Sequence, residues 1–292
     1  RDARPDPGPP LVTDLGPAPD LGPAPDLGPG PVDEQCNGRD DDRDGAIDEG
    51  APCGPWAAAH CAVWLGWADE RQGPAGVAPA WGPCPPADRH ASENLGCVAT
   101  RRDGLFRKVD LNGNVDDNDQ LGLAFRCEDA EAPELAAWVQ TRCAVFLGWA
   151  DDRQGPSDRS ERWDDCPGAL EGRSGAVKCT SSGFDGQFRA MTLGGDVDDN
   201  DQLGLAFVCR DAEDPARAGA LAGAIEVFMG WADEHRGPAD GAASWAACPA
   251  QPRFGDGNIG CVGTGGDQRF HRLDLGGEVN GDDELGVALR PR

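Results

Sequence analysis

Tyrosine is absent from all 292 residues, methionine occurs twice, and aromatic side chains make up only 6%. Apolar residues reach 39%, beside 42 Gly and 25 Pro, a composition too poor in core-forming side chains for one large core; several small modules are expected instead. Basic residues are scarce as well: 26 Lys and Arg face 52 Asp and Glu, a formal charge of −26. That field repels phosphate backbones and anionic headgroups inside a Debye length, which argues against nucleic acid and membrane surfaces and for divalent cations as partners. No apolar run approaches the ~18 residues of a spanning helix. Arg1 stands where an initiator Met would, so an export segment is expected to have been removed.

Cysteine, by contrast, is abundant. Twelve in a chain of low hydrophobicity indicate an oxidising compartment, extracellular or at a bacterial cell surface, where disulfides do part of the work of a core. Their pairing is legible because the chain repeats itself at an offset of 82: NVDDNDQLGLAFRC (Asn114 to Cys127) returns as DVDDNDQLGLAFVC (Asp196 to Cys209) and EVNGDDELGVALRP (Glu278 to Pro291). The third copy has Ile225 where the others have Cys61 and Cys143, and Pro291 where they have Cys127 and Cys209. Loss of both together argues that they are bonded, giving outer bridges Cys61–Cys127 and Cys143–Cys209. Inner bridges Cys84–Cys97, Cys166–Cys179 and Cys248–Cys261 follow, and Cys36 is left for Cys53. The third copy, without an outer bridge, should be the softest.

This divides the chain into a Pro/Gly/Asp-rich extended linker (1–34), an acidic loop (35–53) and repeats at 54–133, 134–215 and 216–292. In the second repeat Leu135, Val139, Cys143, Phe146 and Ala150 recur every three or four residues, which predicts a helix through PELAAWVQTRCAVFLGWADD, ended by Gly155-Pro156. KCTSS, QFRAMTL and LGLAFVC read as strands of a small antiparallel sheet. The fold class expected is α+β: three disulfide-stapled modules in tandem, as beads or a short stack rather than one globule. Asp69, Asp151 and Asp233 then fall near a helix end, where the macrodipole disfavours a carboxylate and a partner is needed. The linker, DLGPAPDLGPAPDLGPGP, has nothing to bury and favours extended polyproline-II backbone.

The most specific motif is CNGRDDDRDGAIDEGAPC, Cys36 to Cys53. Counted from Asp40, oxygens fall at Asp40, Asp42 and Asp44; Gly45 permits a sharp turn, Ala46 offers its carbonyl and Asp48 sits ninth, which is the first half of a calcium loop. The acid expected at position twelve is replaced by Ala51, leaving Asp48 or Glu49 to substitute. The stretch resembles the CNGxDDDCDGxxDE metal-binding motif of secreted bacterial proteins of myxobacterial type, and more distantly the calcium loops of dockerin and thrombospondin type 3 repeats. Arg43 stands where that motif has its second Cys. The resemblance implies a bound calcium ion, and the tail looks like spacers that hold such surface proteins away from a membrane anchor.

A second candidate is the loop before each final strand, with oxygens at Asn114, Asp116 and Asn118; Asp196, Asp198 and Asn200; and Glu278, Asn280 and Asp282. It lacks the glycine at position six and reads either as a calcium site or as an Asx-rich hairpin turn. Two tryptophan sets also repeat, Trp67, Trp149, Trp231 and Trp81, Trp163, Trp245. They suit a buried core, or alternatively a trivalent lectin stacking extracellular glycans, a case that the missing tyrosine weakens. His60, His90, His235 and His271 do not form an aligned set, and no nucleophile motif occurs, so the chain is not expected to be an enzyme. The function expected is a calcium-binding structural or adhesive repeat protein, with carbohydrate binding as the alternative. A filament subunit associating with copies of itself is the further one.

Overall fold

The computed structural model describes residues 33–43, 48, 53–69, 76–77, 89–92, 95–100, 107–111, 115–116, 118–150, 177–184, 189–193, 197–198, 200–232, 259–266, 268, 271–274, 279 and 281–292. The fold is α+β, and residues 33–292 form one compact unit. Repeat one contributes α1 (Cys53–His60), β1 (Cys61–Ala68), β2 (Gly76–Val77), β3 (Arg89–Ser92), β4 (Leu95–Ala99), β5 (Arg107–Asp110) and β6 (Gln120–Cys127). Repeat two contributes α2 (Pro133–Arg142), β7 (Cys143–Ala150), β8 (Val177–Ser181), β9 (Arg189–Thr192) and β10 (Gln202–Cys209). Repeat three contributes α3 (Pro215–Ala224), β11 (Ile225–Ala232), β12 (Ile259–Gly263), β13 (His271–Asp274) and β14 (Glu284–Pro291). No helix among the described residues is long and apolar enough to cross a membrane.

Each helix runs directly into a strand, which corrects the long helix expected from the spacing of Leu135, Val139, Cys143, Phe146 and Ala150. Pro133 and Glu134 suit the first turn of α2, but Cys143 adopts φ −114°, ψ 144°, and the chain continues as β7. All eight residues of β7 are buried. A strand covered on both faces has no alternation to display, so a short apolar run there satisfies helical spacing equally well. Asp69 accordingly follows a strand, and the helix-dipole argument made for it does not apply.

The first strand of each repeat lies antiparallel to its last, and Cys61 faces Cys127 and Cys143 faces Cys209 in register. The bridges Cys61–Cys127, Cys143–Cys209 and Cys36–Cys53 are formed as expected. The outer pair ties first strand to last strand, not helix to strand. Cys97, Cys179 and Cys261 are each disulfide-bonded, to partners outside the described residues. The repetition extends to single bonds: the amides of Val63, Val145 and Val227 donate to Thr100 Oγ1, Ser182 Oγ and Thr264 Oγ1 at 3.0, 3.1 and 3.2 Å.

The repeats do not form beads. β6 pairs with β9 of the second repeat, β10 with β13 of the third, and β14 with β5 of the first, so the exchange closes on itself. Leu193 N–H to Asp119 O (2.9 Å) and Leu111 N–H to Asp283 O (2.8 Å) continue this pairing across repeats. One hydrophobic cluster holds Trp67, Leu123 and Phe125 with Trp149, Leu205 and Phe207 and with Trp231, Val287 and Leu289. The expectation that so little apolar residue excludes a shared core is thereby corrected: each repeat turns one sheet face inward, and the three faces bury one another.

Candidate functional site

The acidic loop of 34–53 is anchored on the helices. Cys36–Cys53 joins its start to the first residue of α1. Gly38, at φ +76°, lies so close to Leu135 of α2 that an added Cβ would sit 3.5 Å from that side chain. At Gly54 an added Cβ would meet the Ala224 carbonyl at 2.3 Å, so only glycine lets α1 approach the end of α3.

Within the loop three carboxylates converge: one oxygen each of Glu34, Asp40 and Asp42 lie within 4.8 Å of one another, half-buried. Asp40 and Asp42 are positions one and three of the sequence motif. Glu34 was assigned to the linker by composition and is the residue that sequence reasoning missed. It organises the loop: Oε1 accepts the amides of Asp41 (2.7 Å) and Asp42 (2.9 Å), and Oε2 accepts that of Asp48 (2.9 Å). The signal for it was weak, an acid two residues before the first cysteine of the motif. Asp41 is engaged with the Gln35 amide and Asn37 Nδ2.

Asp48, the position-nine candidate, does a different job. Its side chain is fully buried and accepts the Asn37 amide at 2.7 Å and the Gly38 amide at 2.9 Å while pairing with Arg217 of α3. Arg217 also lies over the Trp138 ring of α2, 3.9 Å from its centroid. Asp48 itself adopts φ +55°, a conformation aspartate tolerates better than most residues. It therefore fastens the loop to two helices and lies apart from the three converging carboxylates. Asp44, Ala46 and Glu49 fall outside the described residues.

The repeated loop is a self-contained turn. Asp116 N–H donates to Asp119 Oδ2 (2.9 Å), Asp119 N–H to Asp116 O (3.2 Å) and Asn118 N–H to Asp116 Oδ1 (2.9 Å). The second repeat matches it with Asp198, Asn200 and Asp201 at 2.9, 3.2 and 2.7 Å. Asp119, Asp201 and Asp283 are fully buried, so the acid at position six that broke the calcium pattern is the one that pins the turn. Among the described residues, no three acidic, His or Cys groups of these loops converge as Glu34, Asp40 and Asp42 do. Asp282 is described; Asn114, Asp196, Glu278 and Asn280 are not.

Trp67, Trp149 and Trp231 are 0–1% exposed and present no face to a sugar; the alternative of stacking by this set is corrected to burial. Trp81, Trp163 and Trp245 lie outside the described residues. Cations that bind carboxylates prefer hard oxygen donors in a preformed concavity, and the Glu34, Asp40, Asp42 group supplies three such donors on a loop held by a disulfide and a buried ion pair. Comparison with protein-family models, curated proteins and solved structures returned no match.

Proposed function

We infer that the chain is a calcium-binding repeat protein, secreted or tethered at a bacterial cell surface, with a structural or adhesive rather than catalytic role. The observation that carries this reading is the convergence of Glu34, Asp40 and Asp42. Like charges held together repel, and a hard divalent cation turns that repulsion into attraction. Backbone amides already occupy part of Glu34, but an ionised carboxylate has about four lone-pair sites and retains capacity for a metal. Asp44 and the Ala46 carbonyl are next in the motif to complete a shell. The disulfides and the absence of a spanning helix among the described residues are compatible with an extracellular setting. Both the charge of −26 and the resemblance of residues 36–53 to a secreted metal-binding motif favour cations as the ligand.

Calcium titration of the full oxidised chain tests this. Calcium at ~100-fold over its dissociation constant should stabilise the fold by about 2.7 kcal/mol if it binds only the folded state. The melting temperature should rise accordingly, and Asp40→Asn with Asp42→Asn should remove the rise. A melting temperature identical in calcium and in chelator overturns the reading.

A further inference from the structure

Trp67, Trp149 and Trp231 are the next-to-last residues of β1, β7 and β11, each enclosed in the shared core. Their Nε1 atoms are buried and meet no hydrogen-bond acceptor. An indole N–H can only donate, and buried donors in folded proteins are nearly always paired, with internal water the usual partner where protein groups are not. Strand register shows where a water has room. Residues directly opposite on antiparallel strands share a face. Trp67 stands between Gly96 and Leu121, and Trp231 between Gly260 and Leu285, whereas Trp149 stands between Lys178 and Leu203. In the first and third repeats one neighbour on the inner face is therefore a glycine, with no side chain to fill the volume beside the indole.

We propose that Trp67 and Trp231 each hold one internal water through Nε1, in the volume that Gly96 and Gly260 leave open. Trp149, facing Lys178, is outside the proposal. A water needs acceptors for its own hydrogens, and fully buried carboxylates stand at the same end of each sheet: Asp119 immediately precedes β6 and Asp283 immediately precedes β14. Those carboxylates and the overall charge of −26 select a neutral occupant over an anion. A cation is excluded by the donor itself.

The experiment uses the full oxidised chain with ¹⁵N-labelled tryptophan. Of the nine indole N–H signals, those of Trp67 and Trp231, assigned by Trp67→Phe and Trp231→Phe, should resist hydrogen exchange yet show cross-relaxation with a resident water. Gly96→Ala should abolish the water signal at Trp67 and leave that at Trp231. If Gly96→Ala fails to fold, a high-resolution crystal structure of the unaltered chain decides, with water density expected within hydrogen-bond distance of both nitrogens. Indole protons shifted upfield without water contact, as for an N–H facing an aromatic ring, overturn the proposal. A protein acceptor seen at either nitrogen does so as well.

Discussion

Asp129 and Asp211 stand 82 residues apart at equivalent positions and do the same work. One oxygen of each accepts an indole N–H at 2.9 Å, from Trp56 and Trp138 respectively. The other accepts amides just ahead of the next helix, Glu131 and Ala132 in one case, Glu213 and Asp214 in the other. The Trp56 indole is the main cause holding Asp129 below the ordinary carboxylate range, and the Glu213 amide is the main cause for Asp211. A folded-state pKa below the unfolded value gives stability that is full above the unfolded value, about 3.9. It is lost as the pH falls through the lower folded values. The Asp129→Asn/Asp211→Asn variant should therefore unfold at lower urea than the parent at neutral pH, and the gap should close as the solution is acidified. A gap independent of pH would show that the carboxylate charge is irrelevant. Arg217 permits a larger perturbation, because its loss leaves the fully buried Asp48 carboxylate without its cation. Breaking a buried pair from one side costs about 3–5 kcal/mol, so Arg217→Met should lose about that much in urea unfolding. Asp48→Asn/Arg217→Met should lose less than Arg217→Met alone.

At the scale of elements, the third repeat shows what a bridge contributes by lacking one. Ile225 faces Pro291 at the same register at which Cys61 faces Cys127. Glu128 N–H donates to His60 O just outside the cysteines, which places Cys61 and Cys127 at a non-hydrogen-bonded pair, where antiparallel strands bring side chains closest. Arg292 N–H donates to Ala224 O in the same way, so the third repeat keeps the geometry without the sulfurs. Ile225→Cys with Pro291→Cys should form a bridge on oxidation; closing a loop of this length stabilises by up to about 4 kcal/mol in the chain-entropy model. The melting temperature of the oxidised variant should rise over that of its reduced form, and an unchanged value would show that α1 and the acidic loop already restrain this repeat. Paired absence made such contacts readable in the sequence, since Ile225 and Pro291 marked one bond by losing both of its ends. Period-two strands such as Gln202–Cys209 were readable too, through their flanking turns. The boundary at Cys143 was not, because complete burial erases the alternation that separates strand from helix. Half of the acidic site was legible as Asp40 and Asp42. Glu34 was not, because its place depends on three amides that only the folded loop brings to it.

The whole molecule depends on pairing that no comparison of one repeat with another can reveal. Repetition in sequence is satisfied equally by three units each folded on itself and by three units that lend one another a strand. Burial decides between them: with 39% apolar residues, a single repeat has too little to enclose its own inner face, and pooling three faces leaves one core and fewer open edges. β5, β9 and β13 each complete a sheet centred on another repeat, so no repeat holds its own full sheet. The segment 54–133 expressed alone should therefore give a far-ultraviolet spectrum of a largely unfolded chain, even with Cys61–Cys127 oxidised. The segment 33–292 should melt in one cooperative transition with coincident tryptophan fluorescence and circular dichroism. An isolated repeat that folds, or a chain that melts in three steps, would mean that the exchanged strands contribute little and that each repeat carries its own stability.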